Sequence, residues 1–300
     1  MIGAMSKEPG TSVSTTGSRI LPTSVSQVGT ITKYEILNYF RSRRFFILLA
    51  IGLIISGIFT ALVAYYGVSN VAPCLPSTCS TPALAFYSFW WGNSITFVIV
   101  LSGIFFGGDA ISGEFQNKTG YFLVANPLRR SSIYIGKWLG ALIASVIVLA
   151  IYAGITVGNG LFYFGANVPF QFVESLSFSI LYLIAVLGFT FFFSSLFKSS
   201  SMSILVTAIL FLFAFSLIQL IVANLVQIEP WFIITYGSGI IGNVLMDTYP
   251  TTQPIRGPGP GGRDGTTYAV TIPEGIMILL VYFIATAILG LVLFERKEFT

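Results

Sequence analysis

Six long apolar stretches, separated by short segments that hold almost all of the charge, set the plan of this chain. They run from Phe45 to Tyr66, Phe86 to Gly107, Trp138 to Phe162, Phe172 to Phe197, Met202 to Gln227 and Gly275 to Phe294. Each is near or above the ~20 residues that a helix needs to cross a bilayer. Their interiors are free of charge, Glu174 near the start of the fourth being the one acid within these limits. The pattern predicts an all-α, polytopic membrane helix bundle with six spans and one membrane domain over residues 31–300.

The flanking segments have patterns of their own. Residues 1–30 are rich in Ser, Thr and Gly and poor in large apolar groups. Such a segment cannot bury enough surface to offset its ordering entropy and is expected to be a disordered tail. From Ile31 to Arg44, Ile31, Tyr34, Leu37 and Phe40 recur at helical spacing beside Lys33, Arg41, Arg43 and Arg44. That is the pattern of an amphipathic helix lying in the membrane interface, the alternative being a plain extension of the first span. Between spans 5 and 6, Trp231 to Asn243 is apolar but too short to cross, the length class of re-entrant or interfacial helices. Gln253 to Gly265 (QPIRGPGPGGRDG) is a Pro and Gly run that predicts an exposed, irregular loop.

Charge then sets the orientation. With the amino terminus inside, thirteen of the fifteen Lys and Arg fall in inside segments and only Arg256 and Arg263 outside, whereas the acids split six to five. Lys and Arg carry the vote under the positive-inside rule, so both termini are expected in the cytoplasm. Residues 108–137 then form the longest inner connection and residues 228–274 the longest outer one. Composition agrees: 55% hydrophobic and 9% charged residues, with a mean hydropathy of +0.86, describe a chain solvated mainly by lipid. The net charge of +4 is accounted for by topology and gives no reason to expect nucleic acid.

Candidate chemistry is sparse. The chain has no His, which removes the commonest metal ligand and the commonest general base. The first thirty residues lack the apolar core of a signal peptide. Cys74 and Cys79, in APCLPSTCS, fall in the first outer loop, where a bridge closing a small ring around Pro76 is expected and two free thiols are the alternative. The inner connection from Gly107 to Lys137 (GGDAISGEFQNKTGYFLVANPLRRSSIYIGK) interleaves Phe115, Tyr121, Phe122, Leu123 and Val124 with charges. It is more apolar than a free loop, and a bilayer surface or a partner protein is expected to cover it.

The run formed by Asp109, Glu114, Thr119, Gly120, Leu123, Pro127, Arg129, Arg130, Gly136 and Lys137 resembles the segment between spans two and three of ABC exporter permeases of the type-two family. The six-span plan, the basic amphipathic helix before span 1, the short outer helices before span 6 and the charged ending Phe294-Glu295-Arg296-Lys297 are similar to that family too. The resemblance implies that this segment forms a coupling helix docked on an ATP-binding subunit. It assigns the contact to Asp109, Glu114, Phe115, Lys118, Thr119, Gly120, Phe122, Leu123, Arg129 and Arg130. It also implies a pathway formed with a second permease subunit, identical or not, in the plasma membrane. ATP and Mg would be bound by the partner, with no cofactor in this chain. The residues agree: the one approach to G-x-x-x-x-G-K-[ST], Gly136-Lys137, is followed by Trp138 and has Ser131 in place of the first Gly.

Two other classes compete. An ion- or proton-coupled carrier needs ionisable groups within its spans, and here the interiors offer only Asn93, Thr96, Asn159, Gln219, Asn224 and Gln227, which suit helix-to-helix hydrogen bonds. An intramembrane protease would use Gly107-Gly108-Asp109, but Phe106 stands where its motif has a Gly and no second intramembrane Asp is present. Spans rich in Phe and aliphatic groups favour a lipid-like, peptide or other hydrophobic substrate over a small ion. The orientation has a direct test. Asn117-Lys118-Thr119 is a glycosylation sequon, and expression in a glycosylating host should leave it unmodified; a glycan on Asn117, seen as an endoglycosidase-sensitive mass shift, would reverse the topology.

Overall fold

The computed structural model describes residues 23–72, 81–118, 129–255 and 265–297. All six apolar stretches are helices long and apolar enough to span a membrane: span 1, Arg43–Tyr66; span 2, Pro82–Gln116; span 3, Arg130–Phe164; span 4, Phe170–Leu196; span 5, Ser200–Val226; span 6, Ile272–Arg296. An amphipathic helix, Ser24–Arg41, precedes them. It starts well before Ile31, because Thr23 accepts a hydrogen bond from the Ser26 amide and caps it, so residues 24–30 belong to the helix and not to the tail expected there. Ser42 is extended and separates this helix from span 1, its hydroxyl donating back to the Tyr39 carbonyl at 2.7 Å.

Spans 2, 3 and 4 form the centre of the bundle, with 67%, 50% and 56% of their apolar windows buried, against 22%, 11% and 22% for spans 1, 5 and 6. Lipid tails are as apolar as Leu, so burying Leu gains little here, and close contact between small residues holds such helices together. Gly103 and Gly107 of span 2 lie against Val186 and Thr190 of span 4 so closely that a Cβ on Gly107 would stand 2.0 Å from the Thr190 hydroxyl. Spans 4 and 6 approach in the same way where Gly188 meets Thr286 and Phe283. Gly136 and Gly140 of span 3 open a seat for Ile31 and Glu35 of the amphipathic helix. That helix therefore packs along the first turns of span 3, where Thr32 donates to the Gly136 carbonyl at 3.2 Å.

At the opposite end of the bundle, the segment after span 5 folds back in two short turns of helix, Ile234–Gly237 and Ile240–Asn243. Ile234, Ile240 and Ile241 are fully buried. The turns are fastened by the Ser175 hydroxyl to the Ile241 carbonyl and by the Tyr282 hydroxyl to the Phe232 carbonyl, each at 2.6 Å. Of the loop expected over residues 253–265, residues 256–264 lie outside the described residues, and the flanking ones are not irregular. Gln253–Ile255 and Gly265–Thr267 pair as an antiparallel ribbon with Pro254 opposite Thr266. A two-stranded ribbon has only edges, which tolerate a proline, and β-branched Thr266 and Thr267 favour the extended backbone. Cys74 and Cys79 lie outside the described residues.

The glycine contacts make a testable claim. Gly107→Ala should destabilise the bundle by about 1–3 kcal/mol through overpacking, read as a lowered melting temperature in detergent. Thr190→Ala, which removes the nearest atom, should restore part of the loss.

Candidate functional site

The described residues of the connection between spans 2 and 3 form a collar of fastenings at the end of the bundle that carries the amphipathic helix. After Gly107, span 2 loosens through a turn and continues as Ser112–Gln116. The amides of Ile111 and Ser112, left without helical partners by that turn, donate to the Ser194 hydroxyl of span 4 at 2.9 and 3.0 Å. The Gln116 side chain accepts from the Ser200 amide at 2.7 Å and so caps the start of span 5. Phe115 lies under the Lys297 ammonium, 4.2 Å from the ring centre. That ammonium donates to the carbonyls of Ser195 and Phe197 at 2.9 and 2.8 Å, meeting the unsatisfied acceptors and the negative dipole end of span 4.

Charged groups complete the collar. Lys137, almost fully buried in span 3, pairs with Glu35 of the amphipathic helix and with Glu114 at 2.8 Å. Arg44, at the start of span 1, pairs with Asp109. Tyr39 is buried beside them and donates to the Phe106 carbonyl at 2.9 Å. Burial pushes its hydroxyl well above the ordinary tyrosine range, and the charges of Glu35 and Asp109 push the same way, so it remains a donor throughout the physiological range. These side chains, with Asn38 and Asn117, surround a cavity of 320 Å³. Arg130 donates to the carbonyls of Glu295 and Lys297 at 2.7 and 3.1 Å, tying span 3 to the end of span 6.

The collar sorts the residues that the resemblance picked out. Asp109 and Glu114 turn inward to form ion pairs, Phe115 is partly buried, and Arg130 holds the end of span 6. Lys118 is exposed at φ 56°, a left-handed conformation that turns the chain out of the helix, and Arg129 is exposed as well. Thr119, Gly120, Phe122 and Leu123 lie outside the described residues. Sequence reasoning did not single out Glu35, Arg44, Ser194 and Lys297 for this site, although Gly136-x-x-x-Gly140 was a readable sign of a helix seated on span 3. The amides within the spans divide: the Gln219 side chain accepts from Thr235 of the short helix Ile234–Gly237 at 3.0 Å and that of Gln227 from the Thr266 amide at 2.8 Å. Asn93, Asn159 and Asn224 each donate to a carbonyl four residues back in their own helix instead of bridging helices.

Six spans, an amphipathic helix seated on the third and a braced connection between spans 2 and 3 define a polytopic, all-α membrane protein. The family model described as ABC-2 family transporter protein matches residues 29–299. The chain belongs to that family, whose membrane proteins work with an ABC ATP-binding subunit. No curated protein matches the sequence.

The buried charges predict an asymmetric mutational response. Lys137→Met leaves two carboxylates uncompensated and should cost about 3–5 kcal/mol. Adding Glu35→Gln and Glu114→Gln should recover most of it, as measured by thermal or denaturant unfolding in detergent. A triple variant no more stable than Lys137→Met would show that the ammonium acts through something other than these two charges.

Proposed function

We propose that this chain is the permease subunit of an ABC exporter in the plasma membrane, with both termini in the cytoplasm. The thirteen-to-two distribution of Lys and Arg supports that orientation. In this reading the segment from 108 to 137 docks on a separate ATP-binding subunit, which binds ATP and Mg. The observation that carries it is the contrast within the segment. Its inward side chains are fastened to the amphipathic helix and to spans 1, 3 and 6, its Ile111 and Ser112 amides to span 4 and its Gln116 to span 5, while Asn117 and Lys118, the last described residues before 129, are exposed. A push on the chain at Lys118 would be carried into the spans through these fastenings.

A second permease subunit would complete the pathway. Span 5, with only 11% of its apolar window buried, supports this reading, as do its two π-helical turns, Leu210–Ala214 and Val222–Val226, which widen the helix locally. The apolar linings favour a hydrophobic, lipid-like or peptide substrate.

The test is co-purification in mild detergent. A P-loop ATPase should accompany the wild-type chain, and its absence would sink the proposal. Lys118→Glu, at an exposed position outside the ion pairs, should weaken the complex at least tenfold, about 1.4 kcal/mol, with the melting temperature of the permease unchanged. Glu114→Arg is a poorer probe, because it would place a second cation against buried Lys137.

A further inference from the structure

At the end of the bundle opposite the collar, a cavity of 480 Å³ lies between span 5, the two short helices and the ribbon. Its floor is formed by Gln219 and Thr235, joined by a hydrogen bond of 3.0 Å. Gln219 stands seven residues before the end of span 5 at Val226, about 10 Å down the helix at its rise per residue. The cavity thus dips below the end of the span, to a depth where irregular backbone is tolerated only if protein covers it or it lines a polar space. Thr251, Gln253 and Thr267, all exposed, stand at its mouth. Its volume lies within the range of small-molecule sites.

The side chains around this cavity keep unused hydrogen-bonding capacity of both kinds. Among the described residues, the Gln219 side chain accepts from Thr235 and donates to nothing, so its amide N–H groups are left over. The side chains of Asn243 and Gln253 donate, to the Val270 carbonyl at 3.4 Å and to the Thr251 hydroxyl at 3.2 Å, and their own carbonyl oxygens are left over. A hydroxyl both donates and accepts, so it can meet either kind, whereas a phosphate or carboxylate only accepts and an ammonium only donates. Among the described residues, no charged side chain lines the cavity. The Glu229 carboxylate, which accepts from the Tyr236 hydroxyl at 2.6 Å just behind the wall, opposes an anion. Tyr236 and Tyr268 commit their hydroxyls to Glu229 and to the Gln227 carbonyl, which leaves their rings to line the wall. A peptide strand, the other uncharged donor and acceptor, finds no edge to join. Pro254 has no N–H to offer, and the Thr266 amide is taken by Gln227 at 2.8 Å.

We infer that this cavity is a binding site for an uncharged, hydroxyl-rich group, a sugar, presented either free in solution or as the head of a glycolipid. The amides of Gln219, Asn243 and Gln253 meet its hydroxyls, and the rings of Tyr236 and Tyr268 give an apolar wall for its C–H face. The site goes beyond the permease reading and stands whether or not an ATPase accompanies the chain.

The test uses the full-length protein in phosphatidylcholine nanodiscs and a photoreactive diazirine on the polar head of three probes. These are methyl glucoside in solution, glucosyl diacylglycerol in the bilayer, and phosphatidylglycerol as the anionic counterpart, with labelled residues read by mass spectrometry. A glucosyl probe should label residues between 235 and 253 saturably, and whether the soluble or the lipid form does so identifies the source. Unlabelled methyl glucoside should displace the label. Thr251→Phe, at the exposed mouth, should reduce labelling at least fivefold with the melting temperature unchanged, and Gln219→Leu, at the floor, should reduce it as well. The inference fails if neither glucosyl probe labels these residues, if phosphatidylglycerol labels them equally, or if labelling survives both variants. Displacement by the uncharged peptide N-acetyl-trialanine amide and not by methyl glucoside would mean a peptide site, which overturns it equally.

Discussion

Lys137 is a full positive charge buried in the first turns of a membrane span, and much of this end of the molecule follows from the need to compensate it. One carboxylate comes from the amphipathic helix and the other from the extension of span 2, so a single ammonium joins three elements. Glu35 can reach it because Gly136 and Gly140 let the amphipathic helix come close. Glu114 can reach it because Ser194 anchors the turn that precedes it. Removing one partner of such a set is far more damaging than removing all of them, since desolvation of an unpaired charge is the dominant cost.

Two kinds of force therefore divide the structure by depth. Within the bilayer, spans 2, 4 and 6 are held by glycine against threonine, valine and phenylalanine, where shape decides and polarity is scarce. At the collar, contacts are ionic or run from side chain to backbone, and they use up helix ends that would otherwise be unsatisfied. The first kind is insensitive to salt and charge; the second links the ends of the spans to one another. A segment fastened by the second to helices packed by the first is suited to passing a displacement along without bending.

The six spans were legible because a bilayer imposes a length and a composition that any ordered reading detects, and span 5 was as plain as span 3. Boundaries were less so. Span 3 was expected to start at Trp138, since Lys137 reads as the edge of the apolar stretch, yet the helix starts at Arg130 because that lysine is neutralised by acids in other parts of the chain. The sequence marks Asp109 and Glu114 as candidate site residues, but it reads Arg44 as part of the basic amphipathic helix and Lys137 as the end of the resembling run, neither as an ion-pair partner. Ion pairs that join residues 65 and 102 positions apart have no local signature. The ribbon at 253–267 was hidden for a different reason: Pro and Gly report what a segment cannot do in a wide sheet, and a two-stranded edge demands little.

The fastening by Lys297 bears on how the protein is made. Its ammonium closes the end of span 4 and covers Phe115, and its carbonyl, with that of Glu295, receives Arg130. The collar thus draws on the chain from residue 35 to residue 297, and the connection between spans 2 and 3 emerges from the ribosome long before its last brace does. Throughout synthesis of spans 4 to 6, that segment is only partly latched. An unfinished chain would present a loosened surface to its surroundings, and the arrival of Lys297 is the event that completes the collar.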